Sequence, residues 1–338
     1  MTIKQTIKAI IPTPLWRKLR LSKQNLQIKS VSLKQAQRFA QWISYDCSTD
    51  KARVETRLAF DIHRLEKGLS HAHFRYGFGM GVLQSIAMHM MLLEHADPDY
   101  STNPLYKQGI AVLHEYRIRH DEQGYDLSNV KALFSKKIWE KSGNSIDHIA
   151  GSFNLDTHGK RNNLEKGFRE LAENRYSVRE YSSEPVSQEL LDQVYQVSMK
   201  TPSVCNRQAT RIYQISDPAI IESALDIQGG FHGYKAPPVL LFITSDIRAF
   251  MNANERNEPF VDGGLFAMSL LYALEAYGLA ACPLNAMFDQ SQDNRTRQLL
   301  NIPDNELPIM YIAVGNFPSN IPVCRSTRRT VESILTKI

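Results

Sequence analysis

Cysteine is scarce in this chain, with 4 among 338 residues and none in a CxxC pair. This spacing excludes a dense disulfide framework and a zinc knuckle, and it is typical of thiols in a reducing compartment. The sequence also lacks an HExxH segment and a GxSxG elbow, so the usual signatures of zinc peptidases and serine hydrolases are missing. With 43% apolar residues, the chain can still bury a large core.

Acidic residues are absent from the first 45 positions, which carry nine lysines and arginines. The whole chain has 40 basic and 35 acidic residues, so the remainder has a net charge of −4. Basic charge confined to one arm disfavours a nucleic-acid surface. Residues 1–30 are interpreted as an exposed or docked amphipathic segment, with weak peripheral contact to an anionic membrane as the alternative. No secretory pattern opens the chain, and a cytoplasmic location is expected.

One apolar stretch, residues 265–284, approaches the length that a bilayer requires. Glu275 lies inside it, and Gly278 and Pro283 interrupt it near its end. A helix that is apolar on all faces also suits the centre of a large protein or a dimer interface. The pattern therefore predicts a buried helix, placed at 261–278, rather than a membrane span.

Helical spacing of apolar residues dominates the first half of the chain and predicts helices at 53–66, 82–94 and 104–119. Gly68 is predicted to end the first of these helices. Residues 144–160 are rich in Gly, Ser, Asn and Asp without sustained periodicity, which predicts a linker.

Beyond residue 164, helical segments alternate with strand-like runs at 211–216, 239–245 and 309–317. Ser187 is a predicted helix N-cap. Strands separated by helices, without tight hairpin signals, predict a mixed domain built on a central sheet. The chain is therefore divided into a basic arm at 1–45, a helical extension at 46–150 and a mixed domain at 164–338.

Histidines and glycines of the helical half give weaker signals. Five histidines crowd this region without a carboxylate-flanked pattern, so structural roles are favoured and no metal site is predicted. They are His63, His71, His73, His89 and His95. The glycines of segment 77–81 follow GxGxG rather than the dinucleotide-binding fingerprint, which favours a turn.

Basic and hydrogen-bonding residues recur around short segments of the second half. In an extended segment, Arg175, Ser177 and Arg179 would point to one face. Guanidinium groups offer planar donors that suit phosphate oxygens. Residues 202–208 form a predicted turn rich in polar side chains, and residues 325–329 add a basic cluster.

The order of these segments resembles the nitroreductase family of FMN-dependent oxidoreductases over about 164–338. The resemblance rests on Arg-x-Ser-x-Arg at 175–179, Pro-Ser-x-x-Asn-x-Gln at 202–208, Ala-Pro at 236–237, the apolar helix ending in Gly-Leu, and the Pro-containing segment 282–286. It implies an α+β nitroreductase-like fold, with a central, mostly antiparallel sheet flanked by helices and an added all-α N-terminal extension. The segment 63–69 resembles an extension found on family members associated with bacterial surface-polysaccharide synthesis.

The resemblance implies a homodimer with FMN at its interface and no catalytic side chain, because flavin N5 carries the chemistry. Arg175 and Ser177 would bind the phosphate and ribityl end, and Arg179 would approach the N1/O2 edge. The remaining implied binding residues are Gln228 near the ring, Pro283, Leu284 and Asn285 at N5/O4, Arg325 and Arg328 at the phosphate, and Ser203 and Asn206 from the other subunit.

The implied activity is ping-pong hydride transfer from NAD(P)H through FMN to a small molecule, or flavin-dependent dehydrogenation of one, with a link to surface-polysaccharide synthesis. The sequence departs from the family at Ala209-Thr210, where Pro-Trp is common. This departure motivates the alternative of a binding or scaffold component of an envelope-polysaccharide assembly without turnover.

Overall fold

The structure is a computed structural model that describes residues 12–45, 48–145 and 147–338. The first 11 residues of the predicted arm, and Cys47, lie outside the described residues. The rest of that arm falls mostly in one long helix, α1 (Thr13–Trp42), in which no residue is buried. None of the helices in the described ranges is long and apolar enough to cross a bilayer.

Helices make up the first half of the chain after α1. They are α2 (Lys51–Leu69), α3 (Met80–Ala96), α4 (Pro104–Asp121), α5 (Ser128–Lys131) and α6 (Lys136–Gly143). Asp50, Asn103 and Ser135 cap α2, α4 and α6 by accepting hydrogen bonds from backbone N–H groups of the first turns. A shared apolar core joins α2, α3 and α4, as their periodicity predicts.

The prediction that Gly68 ends α2 is wrong, because the helix continues through it to Leu69. The glycine has a packing role instead. A Cβ atom at this position would lie 1.9 Å from Cε2 of Phe78, so the missing side chain lets the phenyl ring lie against the helix.

Strands and helices alternate in the second half. The strands are β1 (Ser152–Asp156), β2 (Thr210–Ile215), β3 (Val239–Asp246), β4 (Leu279–Asn285), β5 (Glu306–Asn316) and β6 (Asn320–Cys324). The α-helices are α7 (Phe168–Asn174), α8 (Gln188–Ser198), α9 (Pro218–Gln228), α10 (Glu258–Ala276) and α11 (Gln290–Leu300). Ser187 caps α8 as predicted, since its side chain accepts from the N–H of Leu190.

Four of the strands form one antiparallel sheet in the order β2-β3-β5-β4. Every residue of β3 is buried, because helices cover both faces of the sheet. Leu241 and Ile243 pack towards α8 and α10, whereas Leu240 and Phe242 pack towards α9 and the end of α11. This α+β arrangement, with an all-helical part preceding it, confirms the predicted fold class.

Two segment predictions are wrong. The predicted linker 144–160 contains β1, which pairs antiparallel with β6 near the end of the chain. The helix predicted at 261–278 agrees with α10 within a few residues, and the rest of the apolar stretch 265–284 is β4. Gly278 permits this change of direction with φ +71°, and β4 lies at the sheet edge, where a proline is tolerated. The turn implied at 282–286 is therefore the second wrong prediction, because residues up to Asn285 belong to β4.

Candidate functional site

An extended segment brings two arginines to the edge of the sheet. Val178 donates its backbone N–H to the carbonyl of Ala281 in β4 at 3.0 Å. Val178 is buried, whereas Tyr176 and the polar residues Arg175, Ser177 and Arg179 are half-buried. The segment therefore places both guanidinium groups beside the C-terminal half of β4.

Cys282 lies where these charges converge. Burial raises the pKa of its thiol, and the positive charges of Arg179, Arg175 and Lys67 act in the opposite direction. Two of these cations come from the extended segment and the third from α2. The two implied phosphate- and ring-binding arginines are thus brought together at one place in the fold.

Arg175 has an atom that the protein leaves unpaired. Its Nη1 is buried and has no hydrogen-bond partner among the described residues. A buried donor without an acceptor is costly, and such groups call for an explanation. No carboxylate of the described residues lies within ion-pair distance of Arg175 or Arg179, so the charge available here is unneutralised.

Arg179 connects the extended segment to the C-terminal strand. Its Nη1 lies 3.6 Å from Sγ of Cys324, the last residue of β6. Burial raises the pKa of the Cys324 thiol, with the Arg179 charge opposing it. A neutral thiol does not neutralise the guanidinium, which leaves Arg179 open to an anionic ligand.

Gln228 and the end of β4 also meet. The Gln228 side chain donates from Nε2 to the Asn285 carbonyl at 3.1 Å and accepts from the N–H of Gly230 at 2.7 Å. Pro283 is half-buried and Leu284 is buried in the apolar core beneath. This contact brings together two of the segments that the resemblance implies at the ring.

Other predicted residues are more distant. Arg325 lies over the ring of Phe153, 5.2 Å from its centroid, and Phe153 packs edge-on against Tyr176, the neighbour of Arg175. Arg328 is exposed and donates to the carbonyl of Ser326 in its own segment. The structure thus brings Arg325 to the surroundings of the arginine pair and leaves Arg328 outside them.

Ser203 and Asn206 lie in a separate, tightly turned segment. Ser203 Oγ accepts from the N–H of Gln208 at 3.0 Å, and Val204 N–H donates to Asp262 of α10 at 3.1 Å. Asn206 and Gln208 both have left-handed backbone angles, at φ 54° and 51°, which is a strained conformation for residues other than glycine. Within the described part of one chain, no contact joins this turn to the arginine pair.

The contribution of α2 was not predicted from the sequence. Its last turn is attached to the mixed domain through the Lys67 carbonyl, which accepts from Tyr234 Oη at 2.8 Å. Just beyond the helix, Ala72 N–H donates to Glu180 Oε1 at 2.7 Å. The segment 63–69 was the only indication in the sequence that this helix has a role. Its position relative to Arg175 and Arg179 depends on the tertiary fold.

A small group of possible metal ligands lies near Arg179. Donor atoms of His63, Glu66 and Cys324 lie within 4.8 Å of one another. However, Glu66 Oε1 already accepts from the backbone N–H groups of Gly151, at 3.0 Å, and Ser326, at 3.3 Å. The Arg179 guanidinium beside Cys324 opposes a cation there. Glu66 therefore has a structural role: it joins α2 by hydrogen bonds to the segments that flank β1 and β6.

Comparison with known proteins relates the second half of the chain to one family. Residues 172–230 and 229–316 match the model of the nitroreductase family. The matched segments make up less than half of the chain and contain the sheet β2-β3-β5-β4 and the extended segment with Arg175 and Arg179. The helical part, including α2, precedes the matched region.

The curated relatives that this chain matches have names that refer to FMN, NADH or NAD(P)H. The chain is 26% identical over 168 residues to an FMN reductase [NAD(P)H] of Bacillus subtilis, covering 45% of this chain and 65% of that protein. It is 27% identical over 172 residues to an NADH dehydrogenase of Thermus thermophilus, covering 42% of this chain and 82% of that protein. A Desulfovibrio desulfuricans structure, described as a nitroreductase in complex with FMN, has 20% identity and a TM-score of 0.42, covering 51% of this chain and 97% of its own.

Proposed function

We propose that this nitroreductase-family protein is an FMN-dependent oxidoreductase that uses NAD(P)H to reduce, or FMN to dehydrogenate, a small molecule. The observation that carries the proposal is the buried, unpartnered Nη1 of Arg175 beside the equally unneutralised Arg179. The names of the Bacillus and Thermus relatives support the same cofactor and electron donor.

The residues present fit FMN. Phosphate oxygens would supply the acceptor that Arg175 Nη1 lacks, with Ser177 in the same segment and Arg325 nearby, over the ring of Phe153 that packs against Tyr176. Arg179 would meet the N1/O2 edge of the ring. Gln228 and the end of β4 would flank the ring, where the Leu284 and Asn285 backbone N–H groups would face N5/O4.

FMN supplies hydride acceptance and donation at N5 when it is bound. The chain's own contribution is then position and electrostatics: Arg179 stabilises negative charge at the ring edge, and no side-chain acid or base is required for hydride transfer. Alternate binding of the nicotinamide and the second substrate in one pocket gives the ping-pong order that we propose. The proposed link to surface-polysaccharide synthesis rests on the segment 63–69.

We propose that two copies of the chain complete the site, with Ser203 and Asn206 contributed by the partner. One supporting feature is the exposed apolar stripe of α10, in which Val261, Leu265 and Met268 recur at helical spacing. The anchoring of the 203–208 turn to Asp262 at the start of the same helix is a second. Cross-linking of the purified protein, followed by its mass in solution, tests this part directly.

The test of the cofactor is FMN binding by the wild type and by Arg175→Ala. Charge-assisted hydrogen bonds contribute about 1.5–3 kcal/mol each, so the variant should bind FMN at least about tenfold more weakly. Arg169→Ala is the matched control, because Arg169 is 90% exposed and paired with Glu173 in the preceding helix. A wild-type protein that is colourless and not stabilised against heat by added FMN would contradict the proposal.

The non-turnover alternative makes a different prediction. Ala209 is buried and Thr210 begins β2, at the positions where the family commonly has Pro-Trp. If FMN binds but neither NADH nor NADPH bleaches it under anaerobic conditions, a binding or scaffold role is favoured. Bleaching by either nucleotide supports the oxidoreductase.

A further inference from the structure

Lys67 is a half-buried cation whose ammonium group has no partner in the part of the chain that the structure describes. It lies in the last turn of α2, outside the region that matches the family model. Its ammonium group has no hydrogen bond or ion pair with the described residues, whereas its backbone carbonyl is held by Tyr234 at 2.8 Å. The backbone of Lys67 is therefore anchored, whereas its ammonium group is available to a ligand.

Contacts on both sides hold this turn against the arginine segment. Ser70 Oγ lies 3.4 Å from Cys324 Sγ, which in turn lies 3.6 Å from Arg179 Nη1. The ring of His71 stacks on that of Tyr234 at 3.8 Å. These contacts place the turn that carries Lys67 beside the segment that carries Arg179.

This placement is electrostatically unfavourable without a ligand. Burial, followed by the charge of Arg179, lowers the pKa of the Lys67 ammonium. Among the described residues, no carboxylate forms an ion pair with Lys67 or Arg179. Glu180, adjacent in sequence to Arg179, accepts from the Ala72 N–H and lies 4.0 Å from His71 Nδ1. Two like charges held together in this way become favourable when an anionic group lies between them.

We infer that Lys67 is a cofactor-binding residue, supplied by the helical part of the chain, which together with Arg179 holds the N1/O2 edge of the flavin ring. The inference rests on the proposed function. Lys67 is assigned to the ring rather than the phosphate because it is adjacent to Arg179, whereas the unpaired Nη1 of Arg175 is assigned to the phosphate. The helical part would then be an integral part of the cofactor site.

The experiment compares Lys67→Met and Lys67→Arg with the wild type, as apoprotein and with bound flavin. The apoprotein of Lys67→Met should be at least as stable to heat as the wild type, because the substitution removes a repulsive charge. FMN and riboflavin should both bind roughly tenfold more weakly to it, and the midpoint potential of bound FMN should fall. Lys67→Arg should restore most of the affinity. The matched control is Lys136→Met, because Lys136 is 89% exposed in α6.

Three results would overturn the inference while leaving the proposed function intact. In the first, the FMN affinity and the midpoint potential of Lys67→Met are the same as in the wild type. In the second, Lys67→Met binds FMN more weakly but binds riboflavin as well as the wild type does. In the third, the free energy of unfolding of the apoprotein falls by as much as the free energy of FMN binding. The first excludes a role at the flavin, the second assigns Lys67 to the phosphate, and the third makes it structural. A wild type that binds neither flavin would instead refute the proposed function itself.

Discussion

Replacing Lys160 with methionine should strongly destabilise the protein, because it would leave Glu275 charged and buried. The Lys160 ammonium lies 2.5 Å from Glu275 Oε1, and the two side chains are only 5% and 3% exposed. Lys160 also donates to the Asn174 carbonyl at 2.7 Å, immediately before Arg175. The pair therefore joins the end of α10 to the start of the segment that carries the candidate site.

The expected magnitude follows from the environment of each charge. Removing one partner of a buried ion pair costs about 3–5 kcal/mol. Asn163 Nδ2 still donates to Glu275 Oε1 at 3.2 Å, so Lys160→Met should fall near the lower end, about 3 kcal/mol. The double variant Lys160→Met/Glu275→Leu removes both charges and loses mainly the bond to Asn174, so it should cost only about 1 kcal/mol.

Equilibrium urea unfolding of Lys160→Met, Glu275→Leu and the double variant measures the coupling free energy between Lys160 and Glu275. The comparison requires that the dependence of the unfolding free energy on urea concentration is the same in all variants. Lys136→Met serves as the exposed control, since the pair that it breaks with Glu140 is 89% and 62% exposed and should contribute less than about 1 kcal/mol. The reasoning is refuted if Lys160→Met costs no more than this control, or if the double variant loses the sum of the two single effects.

Two further predictions concern acid stability and packing. Hydrogen bonds from Arg248 and Asn305, against the opposing effect of burial, hold the pKa of the Asp246 carboxyl well below its usual range. The stability that this carboxylate contributes is therefore present above about pH 4 and is lost as the pH falls. Unfolding of Asp246→Asn between about pH 5 and 2 should therefore depend less on pH than that of the wild type, and an identical profile would contradict this. Gly68→Ala should lower the free energy of unfolding by about 1–3 kcal/mol, measured by thermal unfolding, because the new Cβ would meet the ring of Phe78. Adding Phe78→Leu should relieve part of that loss. If the losses of the two single variants simply add in the double variant, there is no such clash.

Local patterns predicted most of the elements correctly. The helices at 53–66, 82–94 and 104–119, the Ser187 cap and the three strand-like runs all agree with the structure within a few residues. Each of these depends on spacing within a short window or on one side chain bonding a nearby N–H group. The segment 175–179 was predicted on the same basis, since alternation alone places its three polar residues on one face.

The errors fall where a distant partner decides the conformation. Strand β1 has five residues and gains its ladder only from β6, so its own composition indicated a linker. Within the apolar stretch 265–284, hydropathy does not mark where α10 ends and β4 begins. That boundary depends on which residues pack as a helix and which pair at the edge of the sheet. Burial alone does not distinguish a helix from a buried strand.

Composition and periodicity are sufficient to predict that a helical part precedes a mixed domain and that the arm is basic, and, for an extended segment, that Arg175 and Arg179 share a face. That Lys160 neutralises Glu275 and that Lys67 lies near Arg179 is visible only in the folded chain. Periodicity and capping are properties of neighbouring residues along the chain. The partner of a buried charge is instead selected by packing between segments more than a hundred residues apart, and no local pattern carries that information.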